Sequence, residues 1–345
     1  MVKVGVVGST GYAGYQLSTI LSQHKNVSIV FLASHNYSNM KLSDVYGNLG
    51  GILEKVCIDM QEVEKRLSDI NILFLALPHG ESFELVDKAL SAGVKVIDLG
   101  ADYRLRKHTD YEKWYGVSHR LTGKLGKAVY GLPEINRKKI MDSDLVANPG
   151  CYPTAGILAL APMLQHGLLD NSSIIIDAKS GVSGAGRSTN VSSLFCECSE
   201  SVKAYNIASH RHTPEIEQQL SDISGDDIIL SFTPHLVPMS RGILATCYGN
   251  LKKSISQNEL YDLYKDFYKN EGFVRISESL PETRHVRNSN ICDIGLRVDQ
   301  RTKRVVAVSA IDNLIKGAAG QAVQNMNILC GFYEHAGLDM IPSIL

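Results

Sequence analysis

Val2-Lys3-Val4-Gly5-Val6-Val7-Gly8-Ser9-Thr10-Gly11-Tyr12-Ala13-Gly14 opens the chain almost at once. Residues 2–7 are nearly all apolar, as in a strand buried on both faces. Glycines at 8, 11 and 14 make a turn, a helical stretch runs from about Tyr15 to Ser22, and a second strand spans Val27 to Ala33. This is the βαβ order that seats a dinucleotide pyrophosphate on a helix N-terminus. The Gly-x-x-Gly-x-x-Gly spacing departs from the usual Gly-x-Gly-x-x-Gly, and a plain tight turn is the other reading. Its place between a buried strand and a helix supplies the context the motif requires. Gly8, Ser9, Thr10, Gly11, Tyr12 and Gly14 are therefore candidate cofactor contacts.

The tip of the second strand, Ala33-Ser34-His35-Asn36, lacks the acidic residue that holds the ribose hydroxyls of NAD. Ser34 can donate to a 2′-phosphate, so NADP is the expected cofactor. A third buried strand, Ile72–Leu77, ends in Pro78-His79-Gly80, and ligands of open α/β sheets sit at such carboxyl ends. A helix over about 81–92 and a strand at 94–98 follow. Residues 105–130 are charged and aromatic and read as a surface excursion.

Asn148-Pro149-Gly150-Cys151-Tyr152-Pro153-Thr154 lies between an apolar run, Leu145–Ala147, and a helical run over 154–166. Strand, tight turn and helix put Cys151 near a first helical turn, where free N–H groups and the helix dipole lower a thiol's pKa. A buried cysteine acting as a small hydrophobe is the competing reading. A strand over 173–178 feeds a second glycine-rich stretch, Ser180-Gly181-Val182-Ser183-Gly184-Ala185-Gly186-Arg187, with no helix signal behind it. Small residues let backbone close over a flat or phosphorylated ligand, so Ser183 and Gly184 join the cofactor candidates. In His210-Arg211-His212-Thr213-Pro214-Glu215-Ile216, Thr213 and Pro214 resemble a cap and a first-turn proline, which places His212 at a helix entrance suited to acid–base work. Glu215 could orient the imidazole. Arg104, Arg187, Arg211 and Arg241, with His210, are candidates to hold an anionic substrate.

Strands dominate after 228, broken by one helix over about 257–268, which predicts an α+β domain with a mostly antiparallel sheet. The last helix, about 314–330, is rich in small residues and should return to the first domain. The expected organisation is an α/β Rossmann-type dinucleotide-binding domain from residues 1–148 and 314–345, and a catalytic, substrate-binding and oligomerisation domain from 149–313. Thirty-five basic residues balance 36 acidic ones, which gives no footprint for nucleic acid or a membrane surface. The seven cysteines form no Cys-x-x-Cys pair, no metal set is spaced for zinc, and the N-terminus lacks a signal-peptide pattern. A cytoplasmic protein with reduced thiols and no metal is expected.

These motifs, with Ala76-Leu-Pro-His-Gly80 and Leu99-Gly-Ala-Asp-Tyr-Arg104, resemble the N-acetyl-gamma-glutamyl-phosphate reductase family over the whole length. The resemblance implies NADPH-dependent reductive dephosphorylation of N-acetyl-gamma-glutamyl phosphate in arginine biosynthesis, with Cys151 as nucleophile and His212 as the matching histidine. It also implies a fold like that of aspartate-semialdehyde dehydrogenases and a homodimer or homotetramer. The same chemistry on aspartyl or aminoadipyl phosphate, and a non-catalytic NADP-binding sensor, are the alternatives.

Overall fold

The computed structural model describes residues 1–344. It divides into two compact units, Met1–Pro149 with Ala318–Asp339, and Gly150–Gly317 with the residues from Met340 onward. Helices of eight or more residues are numbered α1–α8.

The first unit carries seven parallel strands: β1 (Val2–Val7), β2 (Val27–Ala33), β3 (Cys57–Ile58), β4 (Ile72–Leu75), β5 (Lys95–Asp98), β6 (Val129–Tyr130) and β7 (Leu145–Ala147). Their order is β3-β2-β1-β4-β5-β7-β6. Strand order reverses between β1 and β4, so the crevice of this sheet opens beyond the ends of those two strands. Helices α1 (Tyr12–Ser22), α2 (Phe83–Ser91), α3 (His108–Tyr115), α4 (Pro133–Met141) and α8 (Gly320–Leu329) belong to this unit. Helix α1 begins at Tyr12, three residues earlier than the sequence predicts, because the turn glycines extend into its first turn. The 105–130 stretch is not the surface excursion expected. Leu105, Tyr111 and Leu125 are buried in the core cluster with Phe83 and Val96, and the Tyr111 hydroxyl donates to the buried Asp102 carboxylate at 2.6 Å. Their apolar surface outweighs the polar residues around them.

The second unit contains β8 (Ile175–Gly181), β9 (Lys203–Ala204), β10 (Ser231–Val237), β11 (Ile243–Asn250), β12 (Val274–Ser277), β13 (Cys292–Asp299) and β14 (Arg304–Ile311). Their order is β12-β13-β14-β11-β8-β10-β9, with β8–β10 and β12–β13 parallel and the other pairs antiparallel. The sheet is thus mixed and mostly antiparallel. Helices α5 (Cys151–Gln165), α6 (Thr213–Ser224) and α7 (Gln257–Phe267) complete the unit.

Helix α5 is its centre: every residue from Tyr152 to Leu164 is buried, as expected of a helix apolar all round. It contains Pro162, which has no N–H for the Leu158 carbonyl four residues back. The Tyr268 hydroxyl donates to that carbonyl at 2.7 Å, and Tyr264 donates to the Ala159 carbonyl beside it. The last helix also differs from expectation. A π-helical turn, Ile315–Ala319, precedes α8, so the predicted continuous helix is interrupted.

Candidate active site

Asn148 belongs to the first unit and Cys151 to the second, and each is held by residues of its own unit. Within the first, the buried Asn148 donates from Nδ2 to the Ala318 carbonyl (3.1 Å) and accepts from Asn325 Nδ2 (3.1 Å). Its carbonyl accepts from Arg104 Nε at 2.8 Å. Arg104 also donates to the Leu99 carbonyl, so this arginine, expected to hold substrate, braces the chain's own backbone.

Within the second unit, Gly150 is the extended N-cap of α5, and its N–H donates to Glu215 Oε1 at 2.8 Å. Thr154 returns both its N–H and its hydroxyl to the Gly150 carbonyl. Cys151, Tyr152 and Pro153 are the first three helical residues. The helix itself provides no acceptors for the N–H groups of Cys151 and Tyr152, and Pro153 has none to satisfy. No carboxylate of α5 itself occupies this first turn, and the buried Glu215 of α6 meets it only at the N-cap, so half-buried Cys151 sits at the N-terminal end of the helix dipole. Helix α5 starts three residues before the predicted position, and Cys151 is its first residue.

Helix α6 begins at Thr213, with His212 as its N-cap and Pro214 at the second position, one residue from the predicted cap. Fully buried Glu215 gains a partner the sequence did not predict: it ties α6 to the entrance of α5. The Tyr152 ring lies edge-on to His210, His212 and Phe232 at centroid distances of 5.6, 5.9 and 5.2 Å. Its hydroxyl pairs with that of Tyr205 at 3.0 Å. Burial pushes both phenols up, Tyr205 to about 12, so they stay neutral. The His212 N–H lies 3.1 Å from His210 Nδ1. A backbone N–H can only donate, so His210 Nδ1 bears the lone pair and Nε2 the proton. Burial, then the neighbouring Arg211 charge, pushes His210 down to about 4. His210 is thus a neutral Nε2–H donor at pH 7.

Arg241 Nη2 pairs with the buried Asp312 Oδ1 at 3.0 Å. Arg211 is exposed and Arg187 half-buried. Ser183 and Gly184 lie on a 3₁₀ turn, Val182–Ala185, at the end of β8. The strand runs on to Gly181, past the predicted end at Ala178, because β10 and β11 pair with its last residues.

The dinucleotide turn belongs to the first unit. Gly8 has φ +78°, and a Cβ there would lie 2.3 Å from the Ala76 carbonyl oxygen, so only glycine lets β1 and β4 approach this closely. The turn closes with Gly11 N–H to the Gly8 carbonyl, and Gly11 caps α1. Gly14 lies in the first turn of α1, which carries no acidic residue, as a diphosphate requires. Thr10 Oγ1 and Ser34 Oγ are 2.7 Å apart, and the Tyr46 hydroxyl donates to the Thr10 carbonyl at 2.9 Å. These hydroxyls fit a nucleotide carrying a phosphate on its ribose, and Tyr12 flanks the turn half-buried.

The turn after β4, with Pro78 and His79, is fixed by Asp102, a residue missed as a site element. Its carboxylate accepts from Gly80 N–H (2.7 Å), Ser82 N–H (3.3 Å) and the hydroxyls of Ser82 (2.7 Å) and Tyr111. Asp98 beside it is pushed up to about 7, first by burial and then by the Asp102 charge. The His79 ring stands 5.4 Å from that of Tyr115. Tyr46, Tyr205, Asp312 and Asn313 carry no sequence signal of their own, since each has a partner distant in the chain, and Asp102 is visible only as part of the Leu99–Arg104 motif.

A semialdehyde dehydrogenase NAD-binding-domain model matches residues 3–143, and a semialdehyde dehydrogenase dimerisation-domain model matches residues 151–313. Together with the parallel sheet and the cysteine-bearing second unit, these define the class as the semialdehyde dehydrogenases. The chain is 53% identical over 345 residues to the N-acetyl-gamma-glutamyl-phosphate reductase of Clostridium novyi (strain NT), covering all of both chains. It is 51% identical over 344 residues to that of Alkaliphilus metalliredigens (strain QYMF), covering 99% of each. Within the class, the chain belongs to the N-acetyl-gamma-glutamyl-phosphate reductase family. In fold it is similar to aspartate semialdehyde dehydrogenase II from Vibrio cholerae, with a TM-score of 0.73 and 19% identity over 96% of this chain and 99% of that one. The aspartate semialdehyde dehydrogenase with NADP from Candida albicans has a TM-score of 0.71 and 15% identity, with 96% and 99% covered.

Proposed function

We infer that the protein reduces N-acetyl-gamma-glutamyl phosphate to N-acetyl-glutamate 5-semialdehyde with NADPH, through an acyl group carried on Cys151. The observation that carries this reading is Cys151 as the first residue of α5, half-buried, with His212 and Glu215 of α6 at the same helix entrance. The thiolate attacks the acyl carbon, a C–S bond forms, and phosphate leaves with the electrons of the broken C–O bond. The resulting thioester carbonyl is electrophilic enough to be reduced. Bound NADPH supplies the hydride. The N–H groups of Cys151 and Tyr152 hold the oxyanion that forms, each donor worth about 3 kcal/mol in comparable sites. His212 lends that oxygen a proton and takes it back as the C–S bond breaks, releasing aldehyde and thiolate. The neutral Nε2–H of His210 and the guanidinium of Arg241 face the substrate's polar groups, with Arg187 as a further contact.

The Gly8–Gly14 turn, with Thr10, Ser34, Pro78 and His79, would hold NADPH, the hydroxyls of Thr10 and Ser34 being the groups suited to its 2′-phosphate. Ser183 and Gly184 of the second unit are further candidate cofactor contacts. One face of the second sheet presents Asp177 and Lys179 of β8 with Thr246 of β11, alternating with buried Ile176, Ala178 and Ala245. This face and the dimerisation-domain match support a homodimer, or a homotetramer built from it.

Cys151→Ser is the test of function: it should abolish aldehyde formation while the protein still binds NADPH. Turnover retained by Cys151→Ser refutes the reading. Equal kcat/KM for N-acetyl-gamma-glutamyl, aspartyl and aminoadipyl phosphates removes the substrate assignment alone.

A further inference from the structure

Asp312 is fully buried between β14 and the π-helical turn. Its Oδ1 accepts from Arg241 Nη2 (3.0 Å) and from the N–H groups of Leu314 (2.9 Å) and Ile315 (3.1 Å). Its Oδ2 accepts from Asn288 N–H at 2.7 Å. The next residue, Asn313, accepts from Gly242 N–H (2.7 Å) and donates to Ser183 Oγ (3.0 Å). The β8 end is laced to the same turn, with Gly181, Val182 and Ser183 N–H groups donating to the carbonyls of Gly242, Met239 and Ser240. Arg241 therefore stands on a rigid platform. Its side chain is only 15% exposed, and its Nε is buried with no acceptor among the described residues. A buried guanidinium with Nε unmatched beside the Nη2 that Asp312 holds is a group that an anionic substrate oxygen would complete.

The Asp312 carbonyl also accepts from Gly317 N–H at 3.0 Å, closing the π turn. A Cβ on Gly317 would lie 2.7 Å from Cys151 Cβ, so this turn forms the wall against which the reactive cysteine packs. A π turn beside a chemically active residue is a recurring arrangement. Arg104, by contrast, is engaged with backbone carbonyls.

We propose that Asp312 is a positioning residue of the reaction, orienting the Arg241 guanidinium toward the substrate's anionic group while its backbone fixes the turn behind Cys151. This rests on the reading above that Arg241 meets substrate. The experiment is a double-mutant cycle in the full-length protein, with KM for the acyl phosphate, kcat and the Kd for NADPH measured on each member. Arg241→Ala should raise KM by about 30-fold or more, and Asp312→Asn, which keeps an acceptor oxygen for Leu314 and Ile315, by about tenfold. The Kd for NADPH should not move. The double variant should match Arg241→Ala alone, because Asp312 acts through the guanidinium.

Multiplying effects, or an equal loss of NADPH binding in Asp312→Asn, overturn the proposal. An unchanged KM in Arg241→Ala instead refutes the reading of Arg241 as a substrate contact, and the proposal falls with it. Should Asp312→Asn not fold, because it strands a buried guanidinium, chemical rescue replaces it. Added guanidinium ion should lower the KM of Arg241→Ala, where Asp312 can dock it, and leave Arg241→Ala/Asp312→Asn unchanged. Equal rescue of both, or of neither, counts against the proposal.

Discussion

Glu215 is the residue whose role separates two accounts of the site. If its charge serves the imidazole, Glu215→Gln and Glu215→Ala should be similarly damaged. In the structure its Oε1 accepts the Gly150 N–H at 2.8 Å, in a fully buried position one residue before Cys151. Glutamine retains an acceptor oxygen on a side chain of the same length, whereas alanine strands a buried N–H. A hydrogen bond to a charged group contributes about 1.5–3 kcal/mol. If that energy holds Cys151 in place for attack, its loss corresponds to about 10- to 150-fold in kcat/KM. The assay is steady-state NADPH oxidation at saturating cofactor for the parent, Glu215→Gln and Glu215→Ala, with urea melts to verify that each is folded. The account predicts that Glu215→Gln stays within about fivefold of the parent and that Glu215→Ala falls by the full factor. A glutamine variant as impaired as the alanine one would refute it.

Other consequences are checked more simply. Tyr268→Phe leaves the Leu158 carbonyl, already without a donor because of Pro162, unsatisfied in the core, and should lower stability by about 1–3 kcal/mol in urea titrations. Pro162→Ala supplies the missing N–H and should reduce that loss in the double variant.

His210 is depressed from 6.5 to about 4, so the unfolded chain binds its proton first, and stability is present above pH 6.5 and lost as pH falls toward 4. The full loss is about 3 kcal/mol, measured by urea melts across that window, and His210→Gln should remove this component. Asp98 works in the opposite sense: raised from 3.8 to about 7, it stabilises below pH 3.8, and that contribution is lost as pH rises through 7, a slope Asp98→Asn should flatten. Ser34→Asp places a carboxylate where a 2′-phosphate is expected, and should weaken NADPH relative to NADH by about 1–3 kcal/mol in fluorescence titrations.

Much of this architecture is legible before any coordinates are seen, for identifiable reasons. Strands β1 and β2 are readable to the residue because buried apolar runs leave little choice of element. The start of α5 was placed late because Cys151, Tyr152 and Pro153 look like turn residues; a proline in a first turn forfeits no helix bond. Strand β8 outran its predicted end because sheet partners override the weak strand preference of Ser180 and Gly181. The 105–130 stretch misled because averaged polarity hides two or three buried side chains, and the acceptor that draws Tyr111 inward is found only in three dimensions. The cysteine, the helix-capping histidine and the glycine turn were visible as motifs. The Asp312–Asn313 platform was not, since its partners lie as many as 130 residues away.

The central claim is that the sulfur of Cys151 takes the acyl group from the phosphate. Mixing enzyme with acyl phosphate in the absence of NADPH, quenching in acid and measuring intact and peptide masses tests it directly. The account predicts one phosphate released per active subunit and one acyl adduct, located on Cys151. Phosphate release with no adduct, or an adduct on any of the other six cysteines, would contradict it.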